Sequence, residues 1–194
     1  VISSDSSKLV RELAENWRIP VATTMMGIGV LPWNHELNLG ILGSHGVFVA
    51  NYALHHADLI ILMGARVGNR AIGSAAEIAK KAAVIHIDID PAEIGKNIRP
   101  HLPIQANVKT VLKRMSKMAV PSASRRHDWL KKCIELKNEH DLKVFNYDVS
   151  QTIDPPSLLH KLGHLAGPNT IITTEVGQNQ IWAANHYPIS NPGS

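Results

Sequence analysis

The chain has 194 residues, enough for one full core and part of another. Hydrophobic residues make up 44%, as in ordinary globular proteins, and the single cysteine, Cys133, excludes an internal disulfide and a cysteine-built zinc site. The formal charge of +4 comes from Lys and Arg interspersed with acids, and the dense pairs Arg125-Arg126 and Lys131-Lys132 lack interleaved aromatics, which fits a solvated helix face rather than a nucleic-acid surface.

The first residues, Val1-Ile2-Ser3-Ser4-Asp5, have neither the basic nor the apolar stretch of a signal peptide. No apolar run reaches the roughly 18 residues of a membrane span. A cytoplasmic chain with no membrane partner is expected. Ser4 to Ser7 offer N-caps for a helix on which Leu9, Val10, Leu13, Ala14 and Trp17 recur at helical spacing, with Pro20 closing it. Val21 to Thr24 reads as a short buried strand, and Gly27, Gly29 and Pro32 make a loop to about Leu42. A helix is expected over Val47 to His55. Leu59 to Met63 is a continuous apolar run, as in a parallel strand buried on both faces. Ala75 to Lys80 reads as helix, Val84 to Asp88 as strand and Val108 to Met118 as helix. Ala119 to Arg126 reads as a linker, 127–141 as a charged helix carrying Trp129, and Pro155-Pro156 as the opening of a further helix with Leu158, Leu159 and Leu162. Ile171 to Thr174 reads as its partner strand. This alternation predicts an α/β fold: a doubly wound, mostly parallel, Rossmann-like sheet, truncated at its first strand, with a partial second α/β lobe. The expected domains are 1–118, a helix-bearing linker over 119–150, and an incomplete unit over 151–194.

Chemistry is expected at strand ends and helix starts. Gly43-Ser44-His45-Gly46 precedes a helix, where backbone N–H groups favour phosphate, or is an ordinary glycine-rich turn. Gly64-Ala65-Arg66 follows a strand; Arg66 and Arg70 could neutralise a diphosphate or be surface residues. In Asp88-Ile89-Asp90, Asp88 can accept from ribose hydroxyls, and Asp90 can cap a helix opening at Pro91. His86 reads as a packed or satisfied strand residue. Gly177-Gln178-Asn179 at a helix start could hold a phosphate, and Trp182 reads as core. The histidines show no two-ligand-plus-carboxylate spacing, so no metal site is expected. There is no dinucleotide fingerprint, Walker loop or Gly-x-Ser-x-Gly.

Several segments, in one order, resemble the acetohydroxyacid synthase large subunits. They are Leu42-Gly43-Ser44-His45-Gly46, Ala50-Asn51-Tyr52-Ala53, Ala57-Asp58-Leu59, Gly64-Ala65-Arg66, His86 to Asn97, and Thr174 to Ala184. The resemblance implies most of a central FAD-type domain and the start of a thiamine-diphosphate domain. The parent would decarboxylate pyruvate and join the two-carbon remainder to a second 2-oxoacid, using thiamine diphosphate, Mg2+ and a non-redox FAD, as a homo-oligomer. It also implies that Gly43, His45, Gly64, Arg66, Arg70, Asp88 and Ile89 face FAD and that Gln178 and Asn179 face thiamine diphosphate. The catalytic Glu and the Gly-Asp-Gly magnesium motif of the family are not in this sequence, so no catalytic residue is assigned and the stretch alone is expected to be inactive. Ser44 stands where the family usually has Met, Val67-Gly68-Asn69 where it has Phe-Asp-Asp, Asn107 where it has Asp, and Asn179 where it has His. The alternatives are another thiamine-dependent decarboxylase or lyase, and a non-catalytic nucleotide-binding module.

Overall fold

The computed structural model describes residues 1–68, 81–120, 122, 124–140 and 153–194. Helix α1 (Ser7–Trp17) is amphipathic and buries Val10, Leu13 and Ala14. It stops before Pro20 is reached: Arg18 adopts the left-handed conformation (φ 51°), and its N–H closes onto the carbonyls of Ala14 and Glu15. Strand β1 (Val21–Thr23) pairs in parallel with β2 (Asn38–Ile41). Helix α2 (Phe48–His56) then leads to β3 (Leu59–Met63).

A second parallel sheet has the order β3, β4 (Ala83–Asp88), β5 (Leu102–Gln105), with Met63 opposite Ile87 and Asp88 opposite Gln105. Two strands lie outside the sequence expectation. β2 carries Gly40 (φ 86°) in a glycine-rich stretch, and β5 carries Pro103, which an edge position tolerates. Helices α3 (Val108–Met115), α4 (Ser124–His140), α5 (Pro155–Ala166) and α6 (Gln178–His186), with short 3-10 turns at Ile2–Ser4 and Met25–Gly27, complete the described elements. The expected helix over 75–80 lies outside the described residues. The expected strand Ile171 to Thr174 is not a strand: no segment among the described residues pairs with it, and Ile171 is 72% exposed. An extended segment without a ladder partner leaves its backbone groups to solvent.

Side chains alternate across β4 and feed a core on each side. Ile87 joins Val10, Leu13 and Ala14 of α1, Val108 and Leu112 of α3, and Leu130 of α4. Val84 packs instead with Leu54 of α2, Val67 and Ile98. Apolar packing on both faces of a parallel sheet makes the fold α/β and doubly wound in character. Helix α4 bridges two clusters. Leu130 belongs to the first, while Cys133 and Leu136 pack on Leu39, Val49, Ala50 and Ala53. Burial pushes the Cys133 thiol up to about 11.

The last helices lie against the front of the chain. Trp33 N–H donates to the Ile189 carbonyl (3.0 Å), and Asn185 Nδ2 donates to the His45 carbonyl (3.0 Å). Gly163 on α5 is required sterically, because a Cβ there would lie 2.2 Å from Pro188 Cδ. The α5 cap is the Asp154 carboxylate, which accepts from Ser157 N–H; the Ser157 side chain first, and this backbone bond second, hold its pKa below the usual carboxylate range.

Candidate functional site

Parallel strands deliver β3, β4 and β5 to one edge with their C-terminal ends together, where such sheets bind ligands. Gly64, the first residue past β3, has φ 59°, and its N–H donates to the Ile87 carbonyl (2.8 Å). A Cβ on Gly64 would stand 3.4 Å from the Val1 nitrogen and 3.6 Å from Val108 Cγ2, so the start of α3 borders it. Asn107 caps α3 by accepting from the Lys109 N–H (2.9 Å).

Asp88 closes β4 and is 8% exposed. Its Oδ1 accepts from the Asp90 N–H (3.0 Å), while Oδ2 has no hydrogen-bond partner among the described residues. Asp90 in turn accepts from the Ala92 N–H (2.9 Å), but a run of turns follows instead of the expected helix.

Gly64, Arg66, Asp88 and Ile89 therefore share one edge, with unequal exposure. Ile89 is 66% exposed, and Arg66 points outward, its Nε 3.9 Å from Glu93 Oε1. Glu93 is held more closely by Lys96 (3.0 Å). Arg70 lies outside the described residues.

The Gly43-His45 turn follows β2. Asn51 on α2 clasps it, accepting from the Gly43 N–H (2.9 Å) and donating to the Gly43 carbonyl (3.0 Å). Gly46 is required by the turn itself, since a Cβ would meet the Ile41 carbonyl oxygen at 2.1 Å. His45 is exposed, and its carbonyl is the anchor for Asn185 of α6. Gln178 and Asn179, in the first turn of α6, are exposed after Gly177.

His86 is packed as expected, but it is not satisfied. It is 1% exposed, and neither ring nitrogen has a hydrogen-bond partner among the described residues. Burial lowers its pKa, with Asp88 and Glu93 pulling the other way. Trp182 is half-buried rather than fully core.

A cavity of about 520 Å³ lies elsewhere, lined by Thr23, Trp33, His140, His160, Asn185 and His186 among others. Thr23 and Ile41, at the ends of β1 and β2, reach it, but none of the described candidate residues lines it, and sequence reasoning passed it over because its walls come from distant elements. Among the described residues, no three His, Cys, Asp or Glu converge on a metal position, and no helix is long and apolar enough to cross a membrane.

Residues 1–115 match the family model for the thiamine pyrophosphate enzyme central domain. The chain is similar to the acetolactate synthase isozyme 1 large subunit of Escherichia coli, at 41% identity over 94% of this chain and 32% of that protein. It is 38% identical to the acetolactate synthase large subunit of Lactococcus lactis, over 97% of this chain and 32% of that protein. Chloroplastic acetolactate synthase 1 of Nicotiana tabacum is 37% identical over 97% of this chain and 29% of its own length. The chain spans about a third of the length of these curated relatives.

Proposed function

The chain belongs to the thiamine pyrophosphate enzymes, through their central domain, and from this premise we infer that it is the central part of an acetolactate-forming carboligase. The parent would decarboxylate pyruvate and join the two-carbon remainder to pyruvate or 2-oxobutyrate, in the cytoplasm, as a homo-oligomer. The supporting observation is similarity to acetolactate synthases along 94% or more of this chain, in one unbroken order.

Thiamine diphosphate, when bound with Mg2+, supplies the electron sink that lets a 2-oxoacid lose CO2. Gln178 and Asn179 would contribute exposed amides and a helix start toward it. No Gly-Asp-Gly occurs in the 194 residues, so Mg2+ is assigned to none of them. The role of this stretch is to hold a nucleotide and to position neighbouring parts.

The strand-end residues fit the adenosine half of FAD in their donor set. Asp88 presents a carboxylate oxygen that no described residue engages, suited to a ribose hydroxyl, and Gly64 beside it is exposed. Arg66, extended into solvent, can swing onto a diphosphate because, among the described residues, only a loose contact to Glu93 holds it. Gly43 and His45 would border the same ligand, as would Ile89. We place the domains at 1–118 and 151–194 with a linker between them, which limited proteolysis should cut between about 119 and 150.

Titration of the 194-residue chain with ADP and with FAD tests the reading. Saturable, weak binding is expected for both, and Asp88→Ala and Arg66→Ala should each reduce it by about 1–3 kcal/mol, the value of a hydrogen bond to a charged group. Binding indifferent to both substitutions would overturn the site. The same material, given pyruvate, thiamine diphosphate, Mg2+ and FAD, should make no acetolactate in a colorimetric assay; production would overturn the purely supporting role.

A further inference from the structure

Away from the strand ends, two histidines converge on helix α5. His160 and His164 are one turn apart, which places their side chains on the same face. Their Nε2 atoms are 3.1 Å apart, with ring planes at 76°. Trp33 stands edge-on to both rings, its centroid 5.4 Å from His160 and 5.7 Å from His164. His160 also lines the 520 Å³ cavity, together with Trp33 and His186.

We propose that His160 and His164 form a two-imidazole chelate for a late first-row divalent cation, Cu2+, Ni2+ or Zn2+. A cation about 2.0–2.1 Å from each nitrogen would subtend a 3.1 Å separation at an angle of about 100°. That lies between the square-planar and tetrahedral values these ions adopt. The backbone of α5 already holds both ligands in register, so little side-chain freedom remains to be lost on binding. With no cation bound, one Nε2–H donates to the other ring; in the chelate both protons sit on Nδ1 and both Nε2 lone pairs face the metal. His164 is exposed, so solvent can reach the site and fill the remaining positions.

The site carries its own reporter, since Cu2+ and Ni2+ quench a nearby indole. Untagged 194-residue protein would be titrated with CuCl2, NiCl2, ZnCl2 and MgCl2, by calorimetry and by tryptophan fluorescence. One cation per chain is expected at this site, with affinity in the order Cu2+ above Ni2+, Cu2+ above Zn2+, and no response to Mg2+. His160→Gln and His164→Gln should each weaken Ni2+ binding at least tenfold with unchanged circular dichroism. His127→Gln, on exposed α4 surface, should leave it intact. Trp33→Phe should abolish most of the quench while calorimetric binding persists. Ni2+ affinity unchanged in both histidine variants, or quenching by Mg2+ equal to that by Ni2+, would overturn the assignment. His164→Gln keeps the test decisive if His160→Gln, half-buried, fails to fold.

Discussion

Replacing His86 with leucine should make the protein more stable. The imidazole is sealed in on β4, level with Leu62 on β3 and Pro103 on β5, and both of its nitrogens lack partners among the described residues. A buried polar group without a hydrogen bond costs about 1–3 kcal/mol, and an apolar side chain of similar size removes that cost. The gain should depend on pH. Burial lowers the His86 pKa in the folded state, and the nearby Asp88 and Glu93 offset only part of this. The unfolded chain therefore binds the proton more readily, and folding stability is lost as pH falls below the unfolded value of about 6.5 toward the folded one. Urea unfolding followed by circular dichroism at pH 7.5 and 5.5 measures both effects. His86→Leu should gain about 1–3 kcal/mol at pH 7.5 and more at pH 5.5, by at most about 1.4 kcal/mol per pH unit below 6.5. Some slope should remain in the variant, because burial also lowers the pKa of His186. A loss of stability at pH 7.5 would refute the unpaired-imidazole argument. An equal gain at both pH values would refute the protonation argument.

Other substitutions test the packing that holds the candidate sites. Asn51→Ala removes both bonds to Gly43 and should cost about 1–3 kcal/mol, with faster hydrogen exchange at the Gly43 amide as the specific readout. Gly163→Ala forces a methyl into Pro188; despite the better helix propensity of alanine, it should lower the urea midpoint and expose the junction of α5 with the segment after α6 to trypsin. Leu112→Ala, at a position 1% exposed between α3 and α1, should cost about 2–5 kcal/mol in the same urea assay.

How far the chain can be read ahead of its structure depends on how local each signal is. Leu59 to Met63 announces itself as a continuous apolar run and Val84 to Asp88 by its β-branched residues, and their parallel pairing sends Gly64 and Asp88 to one edge. The expected burial of the first on both faces does not hold, because its residues are half-buried and Leu59 is exposed. β2 hides because Gly40 interrupts it and its pairing with β1 is set by tertiary contact. β5 hides behind Pro103. The opposite error arises at Ile171 to Thr174, where β-branched residues suggest a strand but a ladder needs a partner that propensity cannot supply. Candidate residues follow the same division. Strand-end positions follow from topology, whereas the outward course of Arg66, the Asn51 clasp and the meeting of His160 with Trp33 depend on contacts between distant segments.

Cys133 turns the α2–α4 contact into a clock. Its thiol is fully enclosed, and with a pKa of about 11 only roughly one molecule in a few thousand carries the reactive thiolate at pH 7.5. A thiol reagent can modify it at an appreciable rate only after α4 lifts from α2. The rate of modification therefore times that opening, and denaturant dependence distinguishes a local release of the helix from global unfolding. For the same reason, a cysteine introduced on the surface could be labelled selectively while Cys133 stays silent, allowing spectroscopic probes to be added without first removing the native thiol.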